Sequence, residues 1–381
     1  MHVCFLSGNI YPLLAGRAHD DMPIIGGAET QQITIARELT RRGVEISFIT
    51  QDYGQGFETD AGGFRIRSYT FGWNKIEQGR TLWRAMDRSR PDVYYVRGVP
   101  RYIGWVALNS IARGRPLVIG MAQNRTALPR PLSGFSLAED LTYRWALSRA
   151  AALVAQTEFQ RDELAKNYGR ARAIVIRNGA PPSKAKPHAH EARKSAAWIA
   201  TLHPHKGIRQ LFELAAARPD FMFQVAGAPE RDAAPGYYEE MRARAAALGN
   251  VRWLGVVPHE EIDDLLSHSL ALIHTTVPHP GVAANLHEGF PNVYLEAWRN
   301  GVPVLTLDTD PDEVICREGL GFHSRSIDEM ARDLDRLRDD AGTWNRISAA
   351  TKRHFDRVHS IERIGDEYLA LFRDVATRKG S

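Results

Sequence analysis

The segment HEGFPNVYLEAWRNGVPVL, residues 287–305, has the order loop, helix, strand. Pro291 suits a first helical position, because its fixed φ angle and missing N–H group are tolerated there. Gly301 is typical of the residue that follows a helix. The apolar residues that begin at Val302 predict a strand buried on both faces. A helix that leads into such a strand is the repeating unit of a doubly wound α/β protein.

The same alternation of strands and helices extends over most of the chain. Residues 1–182 predict a first domain, and residues 196–355 predict a second one. The apolar runs that predict strands are 3–8, 44–50, 92–98, 116–121, 152–156 and 173–179 in the first domain and 196–202, 221–227, 251–255, 270–275 and 302–307 in the second. Runs apolar on both faces indicate parallel sheets covered by helices. We therefore predict an α/β fold of two doubly wound, Rossmann-like domains.

Two segments lie outside this alternation. Residues 183–195 are rich in charge and lack apolar periodicity, so they predict a linker between the domains. Residues 356–381 form the last part of a tail that is helical in pattern.

The composition indicates an ordinary soluble protein. Of 381 residues, 44% are hydrophobic and 25% are charged, and the length fits two domains. The two cysteines, Cys4 and Cys316, are too few for a disulfide framework, and we expect a cytoplasmic location. The longest stretch without Asp, Glu, Lys or Arg, residues 265–287, contains four histidines and two prolines, so it does not predict a membrane-spanning helix.

Positive charge is concentrated in the first half of the chain. Residues 1–180 carry 24 basic and 16 acidic side chains, and nine of the basic ones lie between Trp73 and Arg115, mixed with aromatic residues. A solvated surface is one interpretation of this stretch. Peripheral contact with anionic lipid at the inner face of a membrane is another. Nucleic acid is not an expected partner, because no recognition motif accompanies the charge.

The start of the helix within residues 287–305 predicts a binding site. Backbone N–H groups near Phe290 and Asn292 would point out of the helix and favour an anion such as phosphate. Glu288 precedes the helix, and Glu296 lies one turn inside it. Carboxylates repel phosphate, so both glutamates fit only if they accept hydrogen bonds from neutral hydroxyls. A nucleotide sugar offers such hydroxyls on its sugar and on its ribose.

Glu288 and Glu296, with seven residues between them, resemble the E-x7-E motif of retaining glycosyltransferases of the GT-B fold, in particular glycosyltransferase family 4 of the group 1 type. Further motifs extend the resemblance over most of the chain. They are VCFLSG with GGAET (3–8 and 26–30), QTEFQRDEL (156–164), IVIRNGA (174–180) and HKG (205–207). The resemblance implies two domains that face each other across a cleft, and a C-terminal helix in 356–381 that packs back on the first domain.

The resemblance also implies roles for individual residues. Glu288 would be the catalytic carboxylate beside the donor sugar, and Lys206 would neutralise the donor diphosphate. Glu296 would accept hydrogen bonds from the ribose hydroxyls. The other implied donor-binding residues are Gly289, Phe290, Pro291, Asn292, Thr201, Gly26 and Gly27.

Two positions depart from the family pattern. Thr201 stands where the family has an arginine that binds the diphosphate, and the candidates to replace that charge are His203, His205 and Arg209. The family also places a histidine near the donor sugar at the end of a first-domain strand, and YYVRGVP and VIGMAQNRTA contain none. The candidates for that position are Arg97, Gln123, Asn124 and Arg125.

No cofactor and no metal are expected, and the nucleotide diphosphate sugar is the donor substrate. The histidines of the second half, His259, His268, His274, His279 and His287, lack the spacing of a zinc site. Asp308, Asp310 and Asp312 alternate and could hold magnesium, but Pro311 and Glu313 fit a helix start. We favour the helix start.

These patterns predict a retaining glycosyltransferase that moves a sugar from a nucleotide diphosphate sugar to a glycan or lipid-linked acceptor, in the synthesis of a cell-surface polysaccharide or glycoconjugate. Two alternatives stay open. One is a GT-B-like protein that binds nucleotide sugars or a partner without catalysis, which the departure at Thr201 and the missing first-domain histidine favour. The other is a nucleotide-sugar isomerase on the same fold.

Overall fold

The computed structural model describes residues 1–16, 26–72, 74–98, 100–130, 132–169, 173–230, 234–277 and 288–378. The chain divides into two compact units, the first formed by residues 1–179 with 361–381 and the second by residues 180–360. Each unit contains a largely or wholly parallel sheet and several helices. The prediction of two Rossmann-like α/β domains is confirmed.

The first unit is built on an eight-stranded sheet. Its strands are β1 His2–Leu6, β2 Glu45–Gln51, β3 Glu58–Ala61, β4 Phe64–Tyr69, β5 Val93–Arg97, β6 Leu117–Gly120, β7 Ala152–Ala155 and β8 Ile174–Val175. Its first helices are α1 Tyr11–Leu14, α2 Gly27–Arg41, α3 Lys75–Ser89, α4 Ile103–Ala112, α5 Leu137–Arg149 and α6 Glu158–Tyr168. The strand order is β3-β4-β2-β1-β5-β6-β7-β8, and only the β3–β4 pair is antiparallel among these strands.

The central strand β1 shows why the sequence is apolar without alternation. Val3 and Phe5 belong to one buried cluster, whereas Cys4 and Leu6 belong to another. Successive side chains of a strand point to opposite faces, so both faces of this strand are covered. Neither the edge strand β3 nor its neighbour β4 was among the predicted strands. ETDA is mostly polar, and FRIRSY interrupts its apolar residues with arginine and serine.

The second unit has a six-stranded sheet in which all pairs are parallel. Its strands are β9 Ser195–Ile199, β10 Met222–Ala226, β11 Val251–Gly255, β12 Ser269–His274, β13 Val304–Thr306 and β14 Gly321–His323. Its described α-helices are α7 Ile208–Ala217, α8 Tyr237–Ala246, α9 Ile262–Ser267, α10 Asn292–Arg299, α11 Val314–Glu318, α12 Ile327–Asp339 and α13 Ala341–His354. The strand order is β11-β10-β9-β12-β13-β14. From β9, the next strands in sequence are added on one side of the sheet, and from β12 onward they are added on the other side. Such a switch point is where open α/β sheets bind ligands.

Residues 183–195, which the sequence predicts to be a linker, pack on the second unit. The buried Arg193 guanidinium donates to the carbonyl oxygens of Leu266 and Ser269 at 3.2 and 2.7 Å. His190 Nε2 lies 2.8 Å from the carbonyl oxygen of Leu337. These contacts are made to backbone oxygens far along the chain. They require no apolar side chains in residues 183–195, so the sequence of this segment gives no sign of its packing.

The tail divides between the units. A π-helical turn, Phe355–His359, continues α13 within the second unit, whereas α14, Ile361–Thr377, belongs to the first. Arg42 of α2 donates to the Asp366 carboxylate of α14, and the hydroxyl oxygens of Tyr95 and Tyr368 are 3.0 Å apart. None of the helices in the described residues has the length and the apolar character that a membrane crossing requires.

Candidate active site

The lysine turn follows β9 and is held against the end of β12. Pro204–Lys206 form one 3₁₀ turn, and Gly207 follows with a φ of 71°. A Cβ atom on Gly207 would lie 1.7 Å from the carbonyl oxygen of Thr275, so only glycine fits. The Thr275 hydroxyl donates to the Gly207 carbonyl oxygen at 2.7 Å. This close approach positions Lys206 at the carboxyl end of the sheet.

The helix α10 begins one residue later than the sequence predicts. Pro291 is its N-cap, with an extended backbone and no side-chain hydrogen bond, and Asn292 is the first helical residue. The Phe290 ring is buried and packs against Tyr294 and Trp298. Gly289 and Pro291 are buried as well. Packing of the Phe290 ring on two residues of the helix therefore fixes where α10 starts.

The two predicted catalytic residues contact each other. The Lys206 ammonium donates a hydrogen bond to the Glu288 carboxylate, and the side chains are only 20% and 14% exposed. Burial alone would raise the pKa of Glu288, but the charge of Lys206 and the hydrogen bond from its ammonium outweigh it, and the pKa falls to about 2. Glu288 is therefore an ionised carboxylate at neutral pH.

His274, the last residue of β12, is a component of the site that the sequence analysis considered only as a metal ligand. Its Nδ1 lies 3.1 Å from Tyr294 Oη, and its Nε2 lies 3.2 Å from Thr276 Oγ1. Burial lowers the pKa of His274 to about 4, so the ring is neutral at pH 7. The sequence feature that could have indicated His274 as a site residue is its position, a polar residue at the carboxyl end of an apolar parallel strand, where ligands bind.

Glu296 is a partly buried carboxylate on α10, with its side chain 15% exposed. Its nearest charged partner is the His259 ring, 3.7 Å from Nδ1 to the carboxylate, and within the described residues it accepts no hydrogen bond. Burial raises the pKa of Glu296 from its ordinary value. A carboxylate placed in this way has free acceptor capacity, which hydroxyl donors can satisfy.

Thr201, which replaces the family's arginine, faces an acid. Its hydroxyl donates to Glu230 Oε2 at 2.7 Å. Among the candidate replacements, His205 contacts His203 and lies close enough to Glu288 to lower the pKa of that carboxylate. Arg209 instead pairs with Glu240 at the surface, at 3.3 Å. The structure thus brings His205 to the site and leaves Arg209 outside it.

In the first unit, a cavity of about 650 Å³ includes residues that follow β1, β5 and β6. Three of the four candidates for the histidine position line it, namely Arg97, Gln123 and Arg125. Asn124 is buried and accepts a hydrogen bond from Gln160 Nε2 at 2.9 Å.

The glycine-rich loop adjoins the start of α2. Gly26 is the extended N-cap of that helix, Gly27 is its first residue, and both are exposed. The next residues, Ala28 and Glu29, line the cavity of the first unit.

The candidate metal ligands have separate partners. His259 lies near Glu296, His268 stacks on His188 with ring centroids 3.9 Å apart, and His279 and His287 lie outside the described residues. The carboxylate oxygens of Asp310 accept N–H bonds from Ile315 and Cys316, which is the role of an acid at a helix start. One group of three potential ligands was found among the described residues, Asp310, Cys316 and His323.

Comparisons with known proteins agree with this architecture. Residues 25–184 match the model of Glycosyltransferase Family 4, and residues 181–354 match that of Glycosyl transferases group 1. No curated protein matches the chain significantly in sequence.

Solved structures of similar fold cover nearly the whole chain. Anabaena HepE in complex with UDP and glucose is 18% identical, with a TM-score of 0.73 over 98% of this chain and 100% of that one. Sucrose-phosphate synthase from Thermosynechococcus elongatus is 13% identical, with a TM-score of 0.78 over 99% and 100%. TarM of S. aureus in complex with UDP is 11% identical, with a TM-score of 0.73 over 97% and 99%. These likenesses show the GT-B fold.

Proposed function

Because the chain belongs to the glycosyltransferases of the family 4, group 1 type, we propose that it transfers a sugar from a nucleotide diphosphate sugar with retention of the anomeric configuration. The observation that carries this proposal is the contact of Lys206 with Glu288 just before α10, the helix on which Glu296 lies one turn further along. In this assignment the second unit binds the donor, and the first unit binds a glycan or lipid-linked acceptor.

Each group at this site has a task that its environment supports. Glu288 is ionised and accepts hydrogen bonds from the donor sugar, while the unsatisfied carboxylate of Glu296 accepts them from the ribose. Lys206, assisted by His205 and by the N–H groups at the start of α10, neutralises the diphosphate. Thr201 adds no charge, because its hydroxyl is bonded to Glu230.

The proposed transfer needs no protein nucleophile. The bond from the anomeric carbon to the diphosphate oxygen breaks while the acceptor oxygen bonds to the same face of the sugar. The acceptor hydroxyl gives its proton to the departing diphosphate oxygen. Lys206 stabilises the negative charge that develops on that oxygen, which is how a preorganised cation lowers a barrier.

The proposal is tested in two steps. A panel of nucleotide sugars is first screened for an increase in melting temperature, which a ligand of the folded state produces. The stabilising compounds are then incubated with acceptors, and NMR coupling of the anomeric proton gives the configuration of the product. An inverted product contradicts the mechanism, and stabilisation without transfer or hydrolysis would instead support a catalytically inactive binding protein.

We also propose peripheral contact between the first unit and anionic lipid, at the inner face of a membrane. Of the twelve large hydrophobic side chains found exposed among the described residues, eight lie between Phe71 and Leu141. Those on α4 and α5 define what we call the apolar face: Trp105, Leu108, Ile111, Leu137 and Leu141, which are 43 to 59% exposed.

Basic residues border the apolar face. Exposed Arg80, Arg84 and Arg88 of α3 form no ion pair within the described residues, and they line a second cavity of about 510 Å³ together with Trp105. Trp73, which begins the basic stretch, lies outside the described residues. Apolar side chains beside unpaired cations match an anionic bilayer, whose interface accepts both.

Sedimentation with liposomes tests the lipid contact. The wild type should bind anionic vesicles at low salt and dissociate as salt screens the charges. A variant with Leu108→Glu and Ile111→Glu should lose binding, whereas Val256→Glu, at an equally exposed position of the second unit, should retain it. Equal binding to neutral vesicles, or none at all, contradicts the proposal.

A further inference from the structure

We propose that the cavity of the first unit recognises an anionic group of the acceptor, a phosphate or a carboxylate, through Arg97, Lys75 and Arg125. This inference rests on the proposed function and adds the chemical class of the acceptor to it.

Arg97 is the central observation. It ends β5, lines the cavity and is only 8% exposed. One of its terminal nitrogens donates to Asn178 Oδ1 at 2.5 Å, but its buried Nε has no hydrogen-bond partner in the described residues. A buried guanidinium with an unused donor is costly unless a ligand accepts from it. Guanidinium groups bind carboxylates and phosphates with two parallel N–H bonds, and Nε takes part in such pairs.

The other charges of the lining favour an anion as well. Lys75 and Arg125 line the cavity, are exposed and form no ion pair among the described residues. Arg101 also lines it, but it is partly neutralised by Glu139 at 3.3 Å. Glu29 is the one acidic residue of the described lining, and burial raises its pKa. The cavity therefore carries an excess of positive charge that its own residues do not balance.

Aromatic rings complete the lining. Phe71 and Trp105 border the cavity beside the cations, and Tyr102 is buried within its wall. Flat apolar surfaces next to charged donors suit a sugar ring that carries an anionic substituent, since each part of such a ligand meets a matching surface. Trp105 also belongs to the apolar face, so the cavity adjoins the surface assigned to lipid.

The anionic group has two candidate sources, which share this chemistry. It is either the phosphate that joins a glycan to a lipid or an acidic substituent of the glycan itself. Three anionic probes separate them: geranyl phosphate for the lipid linkage, and glucose 6-phosphate and glucuronate for an acidic sugar. Glucose is the neutral control.

Calorimetric titration of the full-length protein measures the four affinities. We expect at least one anionic probe to bind about tenfold or more tightly than glucose, because a charged hydrogen bond replaces a neutral one. Tighter binding of geranyl phosphate than of the two sugars assigns the anion to the lipid linkage, and the reverse order assigns it to the glycan. Equal affinity for glucose and all three anions overturns the inference.

Variants locate the binding. Arg97→Gln should lower the affinity for the preferred anion about tenfold or more. Because a change at a buried residue also risks misfolding, the exposed pair Lys75→Gln with Arg125→Gln provides a second test with the same expected direction. Arg37→Gln, at an exposed position of α2 outside the cavity lining, is the matched control and should bind as the wild type does.

Lys206→Gln separates the cavity from the donor site. Loss of anion binding in Lys206→Gln, with retention in both cavity variants, overturns the inference by placing the probe in the second unit.

Binding of nucleotide sugars is measured in parallel, to separate this inference from the proposed function. If nucleotide sugars bind and no anionic probe does, only this inference fails. If anions bind in the cavity and no nucleotide sugar binds, only the proposed function fails.

Discussion

The Lys206 ammonium is hydrogen-bonded to the Glu288 carboxylate, across 82 residues of sequence. This ion pair joins the lysine turn after β9 to the segment that leads into α10, whose first residue is Asn292. The cation assigned to the diphosphate is thus held by the carboxylate assigned to the donor sugar. In the proposed function the donor competes for this contact. A change in one residue should therefore alter the electrostatics of the other.

Replacing Glu288 by Gln should reduce the turnover number about a hundredfold or more, because an ionised acceptor beside the developing charge is lost. The fold should remain intact, since the amide preserves the shape of the side chain. Transfer rates and circular dichroism measure the two effects. Glu213→Gln, on the exposed side of α7, is the control, and near wild-type turnover in Glu288→Gln would contradict the assignment.

Replacing Glu296 by Ala should weaken binding of the free nucleotide by about 1–3 kcal/mol, the range for lost hydrogen bonds to a charged acceptor. The melting temperature should not fall, because the change removes a partly buried carboxylate that accepts no hydrogen bond from the described residues. Calorimetric titration with the nucleotide, compared with the exposed control Glu260→Ala, tests this. Unchanged affinity would refute the ribose assignment.

Gly207→Ala and Gly319→Ala form a matched pair for stability. Both glycines have similar positive φ angles, 71° and 67°, but a Cβ on Gly207 would meet the Thr275 carbonyl oxygen at 1.7 Å, whereas one on Gly319 would meet nothing within 4 Å. Gly319→Ala should therefore cost about 1–2 kcal/mol for the left-handed backbone. Gly207→Ala should cost clearly more in urea unfolding, and equal costs would show that the turn can move away from β12.

Acidification should destabilise the second unit through His274. Its pKa is about 4 in the folded state, against 6.5 as the ordinary value. Between these values the unfolded chain binds the proton and the folded one does not, so stability falls as the pH falls, by about 3 kcal/mol in total. The depressed pKa of Glu288 adds a loss of the same sign below pH 4.5.

Urea unfolding at pH 7 and pH 5 measures this effect. His274→Gln should be less sensitive to the pH change than the wild type, whereas His268→Gln, at a half-exposed position, should be as sensitive. The explanation fails if His274→Gln retains the full pH dependence.

Transfer should persist in excess EDTA, because Lys206 and the N–H groups at the start of α10 are assigned to neutralise the diphosphate. The carboxylate of Asp310 already accepts two backbone N–H bonds. Activity is compared with and without EDTA and with added magnesium. Complete loss in EDTA, restored by magnesium, would replace this account with a metal-dependent one.

Individual helices and strands could be predicted from the sequence, because the patterns that indicate them span only a few neighbouring residues. The start of α6 is an example, since the Thr157 hydroxyl accepts the Gln160 N–H at 3.1 Å as an N-cap residue does. The apolar runs located the central strands, Pro291 located the start of α10 to within one residue, and the spacing of Glu288 and Glu296 carried the family resemblance. Periodicity, caps and motif spacing are properties of neighbouring residues, so the sequence by itself determined the fold class and the donor-site candidates.

Only the tertiary structure decided the properties that depend on residues far apart in the chain. No local sequence pattern indicates the burial that keeps His274 neutral. None indicates the hydrogen bond between Arg97 and Asn178 either, because 81 positions separate these residues in the chain. Arg193 lies in a segment that the sequence predicts to be a linker. In the structure it is buried and donates hydrogen bonds to carbonyl oxygens of the second unit. A pKa, a cavity and an unsatisfied donor are set by the dielectric surroundings and by hydrogen-bond partners, which exist only when the chain has folded.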